Sequence, residues 1–247
     1  MSVNRLVENV VKFTLNECVP PVLRDNKFFM TLLLKIVFRD KAHHFLDFKE
    51  KVVFMSKEDI QSMYTDIRSV QCSAGTDLSN RLLKKIVAEI KGKNVLDVGC
   101  GKGVLANYLS QHFIVGACDV YIEKESAEKY INVSFKEADI HNLPYGENEF
   151  DTVVCTHTLE HVTDFNRAVQ ELRRVAKKRL IIVVPKERPY MYSFNLHLHF
   201  FPYKYSVLYA MKQNMTSLNC KVEEMGGCWY YQEDIEFNEC STRKVKS

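Results

Sequence analysis

The residues best suited to chemistry lie in one string, Val95-Leu96-Asp97-Val98-Gly99-Cys100-Gly101-Lys102-Gly103. An apolar run ends in an acid, and three alternating glycines follow. Glycine allows a sharp turn and lets a ligand approach the main chain closely. The first turn of a helix that follows has N–H groups with no partner inside that helix. Asp97, at the tip of the run, can accept a hydrogen bond from an amine or order a water. The spacing argues against two phosphate loops. A dinucleotide loop reads G-x-G-x-x-G and seats a pyrophosphate, which the acid of this D-x-G-x-G-x-G string would repel. The other phosphate loop requires G-K-S/T, and none follows.

More acids and histidines recur where apolar runs end. Asp119 closes Ile114-Val115-Gly116-Ala117-Cys118-Asp119, and an acid there can accept both hydroxyls of a ribose, as in dinucleotide sites. Ala138-Asp139-Ile140 follows a third run. Among the eight histidines, His157 and His161 stand with Glu160 at i, i+3 and i+4, and the three share one face if the segment is helical. The plainer reading is that Glu160 and His161 brace a loop. His197 and His199 alternate with Leu196 and Leu198, so an extended chain puts both imidazoles on one side. Their plainer reading is packing or capping of that loop. A histidine with a pKa near neutrality suits removal of a proton from a hydroxyl.

The elements that must position these residues change character near residue 90. Residues 1–90 read as helical, with apolar spacing at Leu6, Val10, Val11, Phe13 and Leu15, a break at Pro20-Pro21, and a second apolar segment from Phe28 to Phe48. Ser56 with Asp59 predicts a capped helix to about Arg68. Ser73-Ala74-Gly75 predicts a turn, and Thr76 or Asp77 a cap for a helix through Ile90. From Lys93 onward, apolar runs at Asn94–Val98, Phe113–Ala117, Val133–Phe135, Thr152–Cys155 and Leu180–Val184 alternate with helical segments near 103–110, 123–130 and 163–176. That rhythm predicts a parallel sheet covered on both faces. After Pro185 comes an aromatic stretch to Tyr205, then a helix over Val207–Gln213. A hairpin follows, from Leu218–Met225 and Cys228–Ile235 around Gly226-Gly227.

The motifs, taken as a set over about residues 90–185, resemble the class I S-adenosylmethionine-dependent methyltransferases of the type 11-like group. The glycine string is similar to their motif I. Leu143-Pro144-Tyr145 with Glu149-Phe150-Asp151 resembles the segment that leads into their fourth strand. Thr156-His157-Thr158-Leu159-Glu160-His161-Val162 resembles the LEHV signature of the subgroup that includes the ubiquinone-biosynthesis O-methyltransferases. The resemblance implies a Rossmann-like α/β fold, a seven-stranded mostly parallel sheet with helices on both faces, and a last strand that is antiparallel. It implies residues 91–247 as the methyltransferase domain, residues 1–90 as a helical N-terminal cap, and 185–206 as an aromatic substrate lid. S-adenosyl-L-methionine would contact Asp97, Gly99, Cys100, Gly101, Asp119, Val120, Asp139, Ile140 and Thr156. His157 and His199 are the candidate catalytic bases, and His197 to Phe201 is similar to an H-x-H-F-F element of many class I enzymes. In the ubiquinone enzymes a related cluster holds a divalent metal, but His157 replaces its acid here, so no metal is expected. Helices before motif I often close over the donor in this family, which offers Arg68 to the cofactor carboxylate. Its plainer reading is a solvated helix end.

Composition narrows the acceptor. Of the 247 residues 46% are hydrophobic and 26% charged, with a net charge of +3, ordinary for a globular chain and too small a surplus to imply nucleic acid. The dense cations Arg173, Arg174, Lys177, Lys178 and Arg179 read as structural, at a helix C-terminus. Eight cysteines show no C-x-x-C, which argues against a zinc ribbon or a dithiol redox motif. The first residues do not read as a signal peptide, so reduced thiols and a cytoplasmic location are expected. Phe28–Phe38 is too short for a membrane span, yet basic residues border it, so peripheral membrane contact through the N-terminal helices stays open. The expected function is O-methylation of a small molecule or of a sugar or glycan, as in surface-polysaccharide biosynthesis. The alternatives are an RNA or protein acceptor, or a non-catalytic cofactor-binding partner subunit.

Overall fold

A computed structural model describes residues 14, 18–56, 58–60, 62, 63, 76, 78–192, 195–212 and 219–235. Arg68, Asp77, the turn at 73–75 and residues 1–13 lie outside them. The helices are α1 (Pro21–Arg24), α2 (Lys27–Phe38), α3 (Ala42–Lys51), α4 (Asn80–Glu89), α5 (Val104–Leu109), α6 (Lys124–Lys129), α7 (Phe165–Val175) and α8 (Lys204–Met211). The strands are β1 (Asn94–Val98), β2 (Ile114–Asp119), β3 (Val133–Glu137), β4 (Phe150–Thr156), β5 (Ala176–Pro185), β6 (Cys220–Met225) and β7 (Cys228–Asp234). They form one seven-stranded sheet in the order β3-β2-β1-β4-β5-β7-β6. β1 to β5 run parallel, and β7 is antiparallel to both its neighbours, as the resemblance implies.

Alternation along each strand divides the core in two. Leu96, Val98, Val153, Cys155, Leu180 and Ile182 pack with α7 and α8. Val95, Val115, Ala117, Val154, Ile181 and Val183 pack with α4 and α5 on the other face. Both faces are thus covered, which is why the strands read as continuous apolar runs. β6 and β7 turn through Gly226 and Gly227, both at positive φ, the backbone that a tight hairpin with right-handed twist requires.

Four of the five cations in the basic cluster pair internally. Arg173 donates to Glu233 through Nε and a terminal nitrogen, both partners buried. Arg174 pairs with Glu171, Lys178 with Asp151, and Arg179 with both Glu89 and Asp234. The described cysteines 18, 100, 118, 155, 220 and 228 are free thiols.

The helices differ from the sequence reading in three places. Ser79, rather than Thr76 or Asp77, caps α4, its hydroxyl accepting from the Leu82 N–H at 3.3 Å. Thr76 instead accepts from the Leu78 N–H and forms a local turn. The apolar segment 28–48 breaks into two helices at Arg39, whose φ of 53° is left-handed backbone with no glycine to announce it. Phe38 and Phe45 stack across the break at 4.1 Å. α8 starts at Lys204, three residues before Val207. The capping box of Ser56 and Asp59 is present in both directions. The α2–α3 hairpin buries Met30, Leu34, Phe45 and Phe48 against Tyr192 and Leu196 of the segment after β5.

Candidate functional site

The glycine string forms the tight loop between β1 and α5. Gly99 and Cys100 both donate backbone N–H groups to the Cys118 carbonyl, at 2.8 and 3.1 Å, which ties the loop to β2. A Cβ on Gly99, at φ 73°, would lie 2.0 Å from the Thr158 hydroxyl oxygen, so the turn after β4 demands glycine there. At Gly101 the reverse holds: a Cβ would meet nothing within 4 Å. Space therefore opens beside Gly101, while its N–H donates to Asp119 Oδ2 at 2.8 Å.

Below this loop, Asp97 is 1% exposed and neither carboxylate oxygen has a hydrogen-bond partner. Burial, helped by the charge of Asp119, pushes its pKa up to about 7. An unpaired buried carboxylate is costly, and a cation beside it would relieve the cost.

The other candidate cofactor residues stand at the carboxyl ends of neighbouring strands. The Ala138 N–H donates to the Asp119 carbonyl at 2.8 Å, so Asp139 follows directly beside the end of β2. Asp139 Oδ1 accepts from the His141 N–H and lies 2.6 Å from its Nδ1. Ile140 is buried in the core with Cys118 and Leu143. Val120 is exposed, and Cys100 and Thr156 are partly so. Thr158 donates to the Thr156 carbonyl at 3.1 Å.

Residues 157–161 form a bend and a turn, not a helix, so helical spacing does not align His157, Glu160 and His161. The grouping comes from tertiary structure instead. His157 takes a φ of 51°, and its Nδ1 lies 3.4 Å from Glu160 Oε1 and its Nε2 3.7 Å from Cys228 Sγ. Glu160 is fully buried, and its Oε1 faces the His157 ring. The backbone carbonyl of Glu160 accepts from the Leu198 and His199 N–H groups. His197 thereby arrives beside Glu160 from 37 residues away, its ring 4.7 Å from that of His161. One donor atom each from Glu160, His161 and His197 lie within 4.8 Å of one another. The Leu196 carbonyl orients Nδ1 of His161, and Glu187 orients Nδ1 of His197 at 2.7 Å. Imidazoles held in this way are typical of metal ligands, and the set differs from the contiguous one considered in the sequence.

His197 and His199 do not act from one face of an extended strand. His197 reaches Glu187, whereas His199 Nε2 reaches the Val162 carbonyl at 2.8 Å and the ring rests on Phe165. The histidines also differ in charge. Burial pushes His157 down, but its hydrogen bonds to Cys228 and Glu160 outweigh that and hold its pKa at about 10. Burial and the neighbouring His197 push His161 down to about 4. Burial lowers His199 as well. At neutral pH, His157 is a cation and the other two are neutral.

Sequence reasoning missed Lys49, Glu187 and Cys228. Lys49 lies over the rings of Tyr190 and Phe200, at 4.8 and 4.5 Å, and donates to the Tyr190 carbonyl. Burial pulls its pKa down to about 8. Glu187 accepts from the Tyr190 hydroxyl and holds His197. On an amphipathic helix nothing marked Lys49 as buried, and the partners of the other two come from distant segments.

Residues 96–184 match the family model described as a methyltransferase domain. A ubiquinone biosynthesis O-methyltransferase of Coxiella burnetii is 36% identical over 95 residues, which cover 36% of this chain and 41% of that one. A 2-phytyl-1,4-naphtoquinone methyltransferase of Nostoc punctiforme is 30% identical over 138 residues, covering 48% and 60%. The chain thus spans about two fifths of the length of the ubiquinone relative. The solved PH0226 protein of Pyrococcus horikoshii, at 16% identity and a TM-score of 0.50 over 73% of this chain and 93% of that one, shares the fold.

Proposed function

We propose that this chain, whose residues 96–184 belong to the methyltransferase-domain family, transfers a methyl group from S-adenosylmethionine to an oxygen of a small ring-bearing acceptor. S-adenosylmethionine is the cofactor of that domain. It brings a methyl already activated on a sulfonium, so the protein mainly aligns donor and acceptor.

One observation carries the reading: the unpartnered, buried carboxylate of Asp97 beneath open space at Gly101. A ligand with a cationic amino-acid end matches both. Asp97, Gly99, Cys100 and Gly101 would hold that end, Asp119 and Val120 the ribose, and Asp139 and Ile140 the adenine, with Thr156 beside the donor. Asp119 braces Gly101, so it fixes the loop and receives the sugar from one position.

On the acceptor side, residues 1–90 act as a cap and 185–206 as a lid. The α2–α3 hairpin packs on Tyr192 and Leu196, so cap and lid form one unit. His199 is the base: it is neutral, and donation from Nε2 to Val162 leaves Nδ1 as an acceptor. His157 is already protonated at neutral pH and serves as a fixed positive charge instead. Glu160, His161 and His197 would hold a divalent cation, which would polarise the acceptor oxygen. The named relatives act on quinone-pathway compounds. A phenolic ring and a sugar both offer a hydroxyl that such a lid accommodates.

The test is incubation of purified protein with fractionated lysate and cofactor labelled on the methyl. Label in small-molecule, lipid or sugar fractions supports the reading and names the acceptor. Label in RNA or protein overturns the acceptor class. Cofactor binding by calorimetry with no label in any fraction favours a non-catalytic partner subunit.

A further inference from the structure

We propose that the outer face of the α2–α3 hairpin is a docking surface for a bilayer with anionic headgroups. α2 has two apolar faces, and the fold uses only one. Met30, Leu34 and Phe38 are buried against α3 and the lid. Phe28, Leu32 and Ile36, spaced by four residues and hence stacked along one stripe, are 84%, 59% and 69% exposed. The hairpin closes so that its two ends meet, as the 3.5 Å pair of Lys27 with Asp47 shows. At that end Val22 and Leu23 lead in, and Val53 and Phe54 lead out, all exposed, with Phe54 at 88%. So many large apolar side chains in solvent on one stretch of chain are unusual for a protein surface.

Charge selects the occupant. Lys35 falls on the same stripe as Phe28, Leu32 and Ile36, Arg39 caps the end of that helix, both cations are exposed, and α2 contains no acid. A second copy meeting this stripe across a two-fold axis would set Lys35 and Arg39 against their own like charges. An anionic headgroup layer satisfies those cations while the acyl boundary takes the apolar side chains, the arrangement of an interfacial amphipathic helix. No helix among the described residues is long and apolar enough to cross a membrane, so the contact is peripheral. The surface adjoins the lid. Arg24 donates to the Pro189 carbonyl, Asp25 accepts from the Met191 N–H at 2.8 Å, and Lys49 donates to the Tyr190 carbonyl. Docking would therefore bring the lid to the bilayer surface, where an amphiphilic acceptor is concentrated.

The test needs no cofactor and no turnover, so its failure is separate from failure of the methyl-transfer reading. The full chain is floated with phosphatidylcholine vesicles carrying about one-third phosphatidylglycerol, an anionic charge that attracts basic side chains. Expected is co-flotation that falls as salt rises. The double variant Phe28→Ser, Phe54→Ser should lower the partition coefficient by roughly tenfold or more. The pair Lys35→Glu, Arg39→Glu should remove the preference for anionic over purely zwitterionic vesicles. All four side chains are exposed, and an unchanged melting temperature checks that the variants fold. Absence of flotation overturns the proposal, as does flotation that both variants retain. A solution dimer in light scattering that Phe28→Ser dissolves also overturns it, because it assigns the stripe to a second copy.

Discussion

Asp97 shows how one side chain can report on its ligand. Its pKa of about 7 exceeds the ordinary carboxylate value, so near neutrality it is partly protonated. A cationic ligand end favours the ionised form and lowers that pKa, so binding releases a proton. Cofactor affinity should then rise with pH up to about 7 and level off above it, because Asp97 is ionised there before the ligand arrives. Calorimetry across pH 5.5 to 8.5 measures this, and Asp97→Asn should flatten the profile. A wild-type affinity that does not change over this range would detach Asp97 from the ligand. His199→Ala should cut turnover about 10²-fold with cofactor affinity nearly intact, and a loss under threefold would leave the imidazole a structural prop for Val162.

The residues near Asp97 were legible because strand, acid and glycines are contiguous, so the local pattern carries their chemistry. The grouping of Glu160 with His197 was not, because it depends on where the chain returns 37 residues later.

Elements follow the same division. Strands and helices from β1 to β5 could be read because burial on both faces leaves unbroken apolar runs. The α2–α3 corner could not. Arg39 sits at φ 53°, where a side chain is strained and glycine is not. Arg39→Gly should raise unfolding free energy by about 1 kcal/mol in a denaturant melt, since the new residue relaxes the corner at a position outside either helix. Equal or lower stability would mean that tertiary packing, with Phe38 stacked on Phe45, already compensates the backbone. The cap of α4 was misplaced for a related reason. Thr76, Asp77 and Ser79 are all good caps, and only the position of the first buried turn, Leu82 and Ile86, selects Ser79.

At the scale of the molecule, the cluster of Glu160, His161 and His197 joins the turn after β4 to the lid, and the apolar packing at Tyr192 and Leu196 joins the lid to the cap. A divalent cation held there should stabilise the whole assembly through mass action. Adding zinc or manganese to chelator-treated protein should raise the melting temperature, and Glu160→Gln should abolish the rise. A melting temperature indifferent to the ion in wild type would show that the cluster is a metal-free brace.

The strand order has a consequence for how the protein is made. β7 lies between β5 and β6, although it leaves the ribosome after both. Until it arrives, β5 presents a long hydrophobic edge with nothing to pair, and β6 has no seat in the sheet. The Glu233 carboxylate that neutralises buried Arg173 comes in the same late segment. Nascent chains stopped at residue 218 should therefore aggregate or recruit chaperones, whereas chains extended past 234 by a tether in the exit tunnel should become protease-resistant in one step. Arrest–proteolysis at successive lengths would show that step. A gradual gain of resistance from residue 185 onward would mean that the parallel half of the sheet stands without its keystone.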